Sequence, residues 1–196
     1  FIIILFILKK NNEISLIIFS SFLIKSLIAF YDSFVMQLPE NQEDGLHFYL
    51  LSSKYNFLTL NEFISTFISS KDFQKYAVII GGIFSIFGKS YLLMKMINVF
   101  ISIISTLIFW KIAKKLFNEN YGSKIATLFF SFHPAILIYS TSVLREPFIV
   151  LIFLITIYFY IKFIISLKYQ YLLISLLVSV IQLIFHPGML FTTFLV

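Results

Sequence analysis

Two stretches of the chain place acidic or basic side chains where they could act on a substrate. The first is Leu38-Pro39-Glu40-Asn41-Gln42-Glu43-Asp44-Gly45. A solvated loop of acids is the plain reading of such a run. A carboxylate held at a membrane surface and partly desolvated would instead become a competent base. Asp44, with Glu43 beside it, is the expected base, because Gly45 should let the backbone turn and Leu46, Phe48, Tyr49 and Leu50 should anchor the loop against the bilayer. The second stretch is Leu144-Arg145-Glu146-Pro147. Pro147 suits the first turn of a helix, so Glu146 is expected at a helix start, where exposed N–H groups favour a carboxylate. Two readings stay open there: Glu146 caps the helix and Arg145 snorkels to lipid, or the pair belongs to a site. Arg145 is the only arginine among 15 basic residues, and its planar fork suits bidentate contact with phosphate.

The remaining ionisable groups of interest are Lys25, Lys95, His133 and His186. Lys25 and Lys95 fall inside apolar runs, where a lysine can bury its stem and carry its ammonium to an interface; Lys95 also has room for an anionic partner. His133 reads as a core or interhelical hydrogen-bonding residue. His186, before Pro187, could bind phosphate or relay a proton, or simply end a helix. Asp44, Glu146 and His186 could ligate a divalent metal by type, but no tight ligand spacing supports one, and no metal or cofactor is assigned. With no Cys in the chain, thiol chemistry and disulfides are excluded.

The elements that must position these groups follow from composition. Of 196 residues, 60% are hydrophobic and 12% charged, with a mean hydropathy of +0.97. A soluble domain carries about 25% charged residues, so the chain is expected to be an integral membrane protein. A hydrocarbon core of about 30 Å needs about 20 apolar residues in a helix. Five runs approach that length: 14–30, 91–110, 125–143, 148–167 and 169–185. The expectation is an all-α, polytopic bundle in a single transmembrane domain. Phe1 to Leu8 is too short to span and reads as a leader or the tail of a lost helix; the chain begins without Met and ends within an apolar run, so it reads as part of something longer.

Orientation comes from the lysines, because cytoplasmic loops hold the excess of positive charge. If the five runs alternate, Lys9, Lys10, Lys111, Lys114, Lys115, Lys124, Lys162 and Lys168 share one side. That makes the net charge of +6 a topology signal and not a nucleic-acid patch. The other side receives 31–90, the turn at Arg145, and His186. The 31–90 segment is long for a connection. Phe63, Ile64, Phe67 and Ile68 recur at helical spacing, so an amphipathic helix lying in the interface is expected over 60–80. The apolar stretch 77–87 is expected to be broken by Gly81 and Gly82 and to dip into the bilayer without crossing it.

Two motifs resemble a known family once this topology is drawn. Ile86-Phe87-Gly88-Lys89-Ser90, followed by Leu92-Leu93-Met94-Lys95-Met96-Ile97-Asn98, is similar to a stretch leading into a span in polyprenyl-phosphate-dependent glycosyltransferases of the GT-C superfamily. That superfamily includes protein O-mannosyltransferase-like and aminoarabinose-transferase-like members. His133-Pro134, Ser140, Ser142 and Leu144-Arg145-Glu146 before an apolar span resemble the same family's Pro, Ser and acidic signature. The resemblance implies a GT-C-like helical bundle and inverting sugar transfer, on the non-cytoplasmic face of what would be a bacterial plasma membrane, in the service of the cell envelope. It implies Asp44 and Glu146 as the catalytic acids, with Arg145, Lys95, His186 and Glu43 as substrate-binding groups. The implied partners are a lipid-linked sugar donor, membrane lipids, and a lipid, glycan or protein acceptor, with no nucleic acid. The chain departs from the family in having Glu43-Asp44 where an Asp-x-Asp pair is usual, and Lys95 where Arg is commoner. An O-antigen-type polymerase or ligase, or a multispan flippase for lipid-linked oligosaccharides, is the alternative; no internal repeat supports a carrier.

Overall fold

Serine, threonine and two lysines share the inside of this bundle with isoleucine, valine and aromatic side chains, while many leucines and phenylalanines face outward. The computed structural model describes residues 12–38, 41–117 and 119–185. Nine helices hold these residues, with no strand among them: α1 (Ser15–Phe34), α2 (Leu46–Lys54), α3 (Leu60–Ser69), α4 (Asp72–Phe87), α5 (Tyr91–Phe117), α6 (Asn120–Phe132), α7 (Pro134–Thr141), α8 (Glu146–Ser166) and α9 (Tyr169–Phe185). Among the described residues, α1, α5 and α8 are long and apolar enough to cross a membrane. On α1, Ile18, Ser21, Lys25, Ala29 and Asp32 recur every three or four residues and are buried, whereas Leu16, Leu23, Leu27 and Phe30 on the other faces are exposed. Apolar side chains facing outward suit lipid, and small or hydroxyl side chains let helices approach closely where no hydrophobic force drives them together.

α5 is the central post. Its 27 residues make it about 40 Å long, and α1, α6, α7 and α8 all pack on it. The α1–α5 seam is pinned along its length: Glu13 pairs with Lys114 at 2.8 Å near one end, and Lys95 pairs with Asp32 near the other. This antiparallel arrangement gathers Lys111, Lys114 and Lys115 of α5, Lys124 of α6, Lys162 of α8 and Lys168 after it at the end of the bundle opposite Asp32. α8 and α9 form a hairpin through Leu167, a non-glycine residue in the left-handed region at φ 53°, and Ser175 Oγ donates to the Thr156 carbonyl across it at 3.0 Å.

Several expectations are corrected here. The run 125–143 is not one helix: it divides into α6 and α7 at His133, whose backbone is extended (φ −58°, ψ 130°). Pro134 imposes this, since proline disfavours the helical region in the residue before it. His133 is exposed and is not a core residue. The helix expected over 60–80 also divides. α3 starts on a capping box in which Thr59 Oγ1 accepts from the Glu62 amide and the Glu62 carboxylate accepts from the Thr59 amide; it buries no residue fully, and it stops at Ser70. α4 then runs unbroken through Gly81 and Gly82. Those glycines do not break the helix; they let it be approached. A Cβ on Gly81 would lie 2.5 Å from Tyr55 Cβ, and one on Gly82 would lie 3.0 Å from the Phe63 ring. They are the points where the segment after α2 and the face of α3 rest on α4.

Candidate functional site

The end of the bundle that holds Asp32 gathers side chains from α1, α2, α4, α5 and the 142–145 loop. Asp32, in the last turn of α1, is buried. Its Oδ1 accepts from the Leu38 amide and its Oδ2 from Lys95 Nζ. Lys95 also donates to Ser33 Oγ at 3.1 Å and stands 4.1 Å from the centre of the Tyr91 ring. A buried ion pair is tolerated when further hydrogen bonds satisfy both partners, and here they do. The snorkelling expected of Lys95 is therefore corrected, and so is that of Lys25. Both side chains are fully buried, and the Lys25 ammonium is held in mid-bundle by Ser102 Oγ at 2.7 Å.

Aromatic rings carry the frame outward from this pair. Tyr91 meets Tyr49 edge-on with centroids 5.2 Å apart, and Tyr49 meets Phe84 at 6.0 Å. Phe48 meets Tyr76 at 5.3 Å, Tyr76 meets Phe148 at 5.5 Å, and Phe148 stacks on Phe185 at 6.0 Å. Through Phe48 and Tyr49, α2 is seated on Tyr76 and Phe84 of α4 and on Tyr91 of α5, and the acidic segment before it is held to the same end.

Asn98 is the polar centre of the assembly. Its Nδ2 donates to the carbonyl oxygens of Ser142 and Leu144 at 2.7 and 2.8 Å, and its amide group meets the Tyr76 hydroxyl at 3.3 to 3.4 Å. Two of the last carbonyls before α8 are thus satisfied by one side chain from α5. Burial pushes the Tyr76 phenol far above its usual range; the hydrogen bond with Asn98 works against this and the charge of Glu146 adds to it. Tyr76 is therefore a neutral hydroxyl.

Around this frame the candidate residues fall into two sets. Lys95, Arg145 and Glu146 belong to one connected assembly through Tyr91, Asn98 and Tyr76. Arg145 Nη1 donates to the Phe185 carbonyl at 2.9 Å, tying the α8 start to the last turn of α9. Glu146 is the first residue of α8 as expected, but it does not cap: no side chain caps that helix start, and Glu146 Oε2 is buried with no hydrogen-bond partner among the described residues. Glu43 and Asp44 form the second set, exposed on the single π-helical turn 41–45 that leads into α2. Gly45 is helical there (φ −63°, ψ −42°), so the expected glycine turn is corrected. His186 lies outside the described residues, as do Glu40 and the leader at Phe1 to Leu8. Among the described residues, no three His, Asp or Glu side chains are grouped to hold a metal.

Asp32 and Tyr76 were missed from sequence. Asp32 follows an apolar run and reads as the first polar residue of a loop. Its signal was the spacing from Lys25, seven residues and two helical turns along one face.

Comparison with known proteins supplies the last observation. Residues 75–191, more than half of the chain, match the family model described as dolichyl-phosphate-mannose-protein mannosyltransferase. No curated protein and no solved structure matches the chain. The matched region begins one residue before Tyr76 and takes in α5, the Asn98-clamped loop and the Arg145-Glu146 pair.

Proposed function

We propose that this chain, which belongs to the dolichyl-phosphate-mannose-protein mannosyltransferase family and is a membrane glycosyltransferase of the GT-C type, moves a sugar from a polyprenyl-phosphate donor to an acceptor hydroxyl at the non-cytoplasmic face. The observation that carries this reading is the convergence of α2, the start of α5 and the 142–146 segment at the bundle end opposite the lysines of α5, α6 and α8. By the positive-inside rule those lysines face the cytoplasm, and the convergent end then faces out. An exposed carboxylate, a guanidinium and apolar helix faces at one boundary are what a lipid-borne sugar phosphate needs.

In this reading Asp44 accepts the proton of the acceptor hydroxyl as its oxygen attacks the anomeric carbon. The bond from that carbon to the phosphate oxygen breaks, its electron pair leaves with the prenyl phosphate, and the anomeric centre inverts. Among the described residues Arg145 spends one of its five N–H donors, on Phe185, and the others stabilise the growing phosphate charge. Glu146 is the second acidic group of the site. Lys95, sealed against Asp32, supports the start of α5 and is no phosphate ligand; Glu43 and His186 are assigned to substrate binding. The acceptor is a lipid, glycan or protein hydroxyl.

The test is Asp44→Asn in membranes carrying the full-length protein, with polyprenyl-phosphate mannose as donor. Transfer should fall by about 10²- to 10⁴-fold, the usual contribution of a general base, with the inserted amount unchanged. Wild-type transfer by the variant would remove Asp44 from the chemistry.

A further inference from the structure

Asp32 and Lys95 form an ion pair at the end of the bundle that carries the acidic segment, and both side chains are fully buried. Apolar side chains of similar size would hold α1 against α5 about as well, because desolvating two charges offsets most of their attraction. The pair does something an apolar contact cannot: it fixes neighbouring groups in direction as well as distance. Asp32 Oδ1 accepts from the Leu38 amide, six residues before Asp44. On the other side, the Lys95 ammonium stands 4.1 Å from the centre of the Tyr91 ring. That ring meets Tyr49, five residues after Asp44, edge-on at 5.2 Å. Ser33 holds the ammonium between these contacts. Its hydroxyl hydrogen goes to the Ala29 carbonyl at 2.7 Å, which leaves its oxygen to accept from Lys95 at 3.1 Å. The chain therefore leaves the pair at Leu38 and returns to it through Tyr49, with Glu43 and Asp44 exposed in between.

We propose that Asp32 and Lys95 are positioning residues for Asp44: one buried ion pair ties the acidic segment at both ends and so sets where its carboxylate stands. The role of that carboxylate rests on the reading of Asp44 as the base; the tie itself does not. An exposed connecting segment is mobile unless something holds it, and a group misplaced by about 1 Å can cost about 10²-fold in rate. Neither member of the pair has to meet the substrate. Asp32 acts on the approach to Asp44 through the Leu38 amide, and Lys95 acts on the return through Tyr91 and Tyr49.

Two double variants of the full-length protein separate the tie from the charge. Asp32→Leu with Lys95→Met strands no buried charge and leaves the Leu38 amide without its acceptor. Asp32→Asn with Lys95→Met keeps an Oδ1 for that amide. With polyprenyl-phosphate mannose as donor, the first double should lose about 10- to 10²-fold in kcat with the donor KM held, and the second should lose clearly less. Equal kcat in the two doubles, or a loss confined to KM, would overturn the assignment. A second readout needs no transfer. A nitroxide on a cysteine replacing Asp44, the one thiol such a chain would contain, should give a restricted spectrum in the otherwise unchanged protein. It should give a sharper, more mobile one in the Asp32→Leu, Lys95→Met background. Tyr91→Leu, which removes a half-buried ring and leaves the ion pair in place, should sharpen it too, and decides the matter if the double fails to insert. An unchanged spectrum in these backgrounds would overturn the tie whatever happens to transfer. A freed nitroxide alongside a wild-type chain that transfers no sugar would uphold the tie and remove only the reading of Asp44 as base.

Discussion

Asn98 concentrates more of the site's geometry in one side chain than any other residue described. Its two amide hydrogens are both used, on the Ser142 and Leu144 carbonyls, and it is fully buried. Asn98→Ala would leave two carbonyl oxygens without their donor in a low-dielectric interior, at about 1–3 kcal/mol for each group left unsatisfied. The expected result is a clear fall in the thermal midpoint together with lost transfer, since the loop it clamps leads directly into Arg145 and Glu146. Asn98→Asp should be worse than Ala, because a carboxylate accepts and cannot donate and would face two acceptors. An Asp variant as stable as wild type would show that the clamp is not what holds the loop. Residue types were readable in the sequence to this depth: Asn98 stood out within its motif, and Glu146 as a helix start. Pairing was not readable. Asp32 and Lys95 lie 63 residues apart in the chain, and no local pattern says that they meet; nor does any local rule say that Glu146, at a helix N-terminus where capping is favoured, turns its oxygen inward.

At the level of elements, the glycine pair of α4 sets two known effects against each other. Alanine in a helix interior is favoured over glycine by about 1 kcal/mol, so Gly81→Ala in an isolated α4 would stabilise it. In the folded chain the new Cβ would stand 2.5 Å from Tyr55 Cβ and 3.1 Å from the Ser52 carbonyl, distances that force the end of α2 away from α4. Overpacking of this kind costs about 1–3 kcal/mol, which exceeds the propensity gain. Gly81→Ala should therefore lower the thermal midpoint and disturb the seat of Phe48 and Tyr49; a midpoint at or above wild type would mean that α2 can shift without penalty. The same contest explains why the sequence hid this arrangement. Read by propensity alone, Gly81-Gly82 is a break; tertiary contact with Tyr55 and Phe63 makes it a packing notch. Conversely, hydropathy ran smoothly through 125–143 and suggested one span, while the local backbone rule at His133-Pro134 divided it. The long apolar helices α1, α5 and α8 were legible because their length and composition leave few alternatives in a bilayer.

For the whole molecule, the decisive quantity is which end of the bundle faces which compartment. The helix directions are settled by contacts at both ends of the α1–α5 seam, Glu13 with Lys114 and Asp32 with Lys95, and by Asn98 holding the 142–145 loop beside the start of α5. Orientation in the membrane adds one independent step, the preference of lysine-rich ends for the cytoplasm. The chain lends itself to a direct measurement because it contains no cysteine, so any introduced thiol is the only one its own sequence supplies. Single cysteines at Asp44 and Lys89, both exposed near the convergent end, should react with a membrane-impermeant maleimide on intact cells. Cysteines at Tyr121, 76% exposed near the opposite end, and at Lys168 should react only after permeabilisation. If positions 44 and 121 were both labelled from outside, or 44 only from inside, the carboxylate proposed as base would face the wrong compartment for an outward-facing site. The bundle could keep every one of its internal contacts and still have to carry out its chemistry elsewhere, because those contacts set only the order of the helices and the lysines at one end set the direction in which that order is inserted.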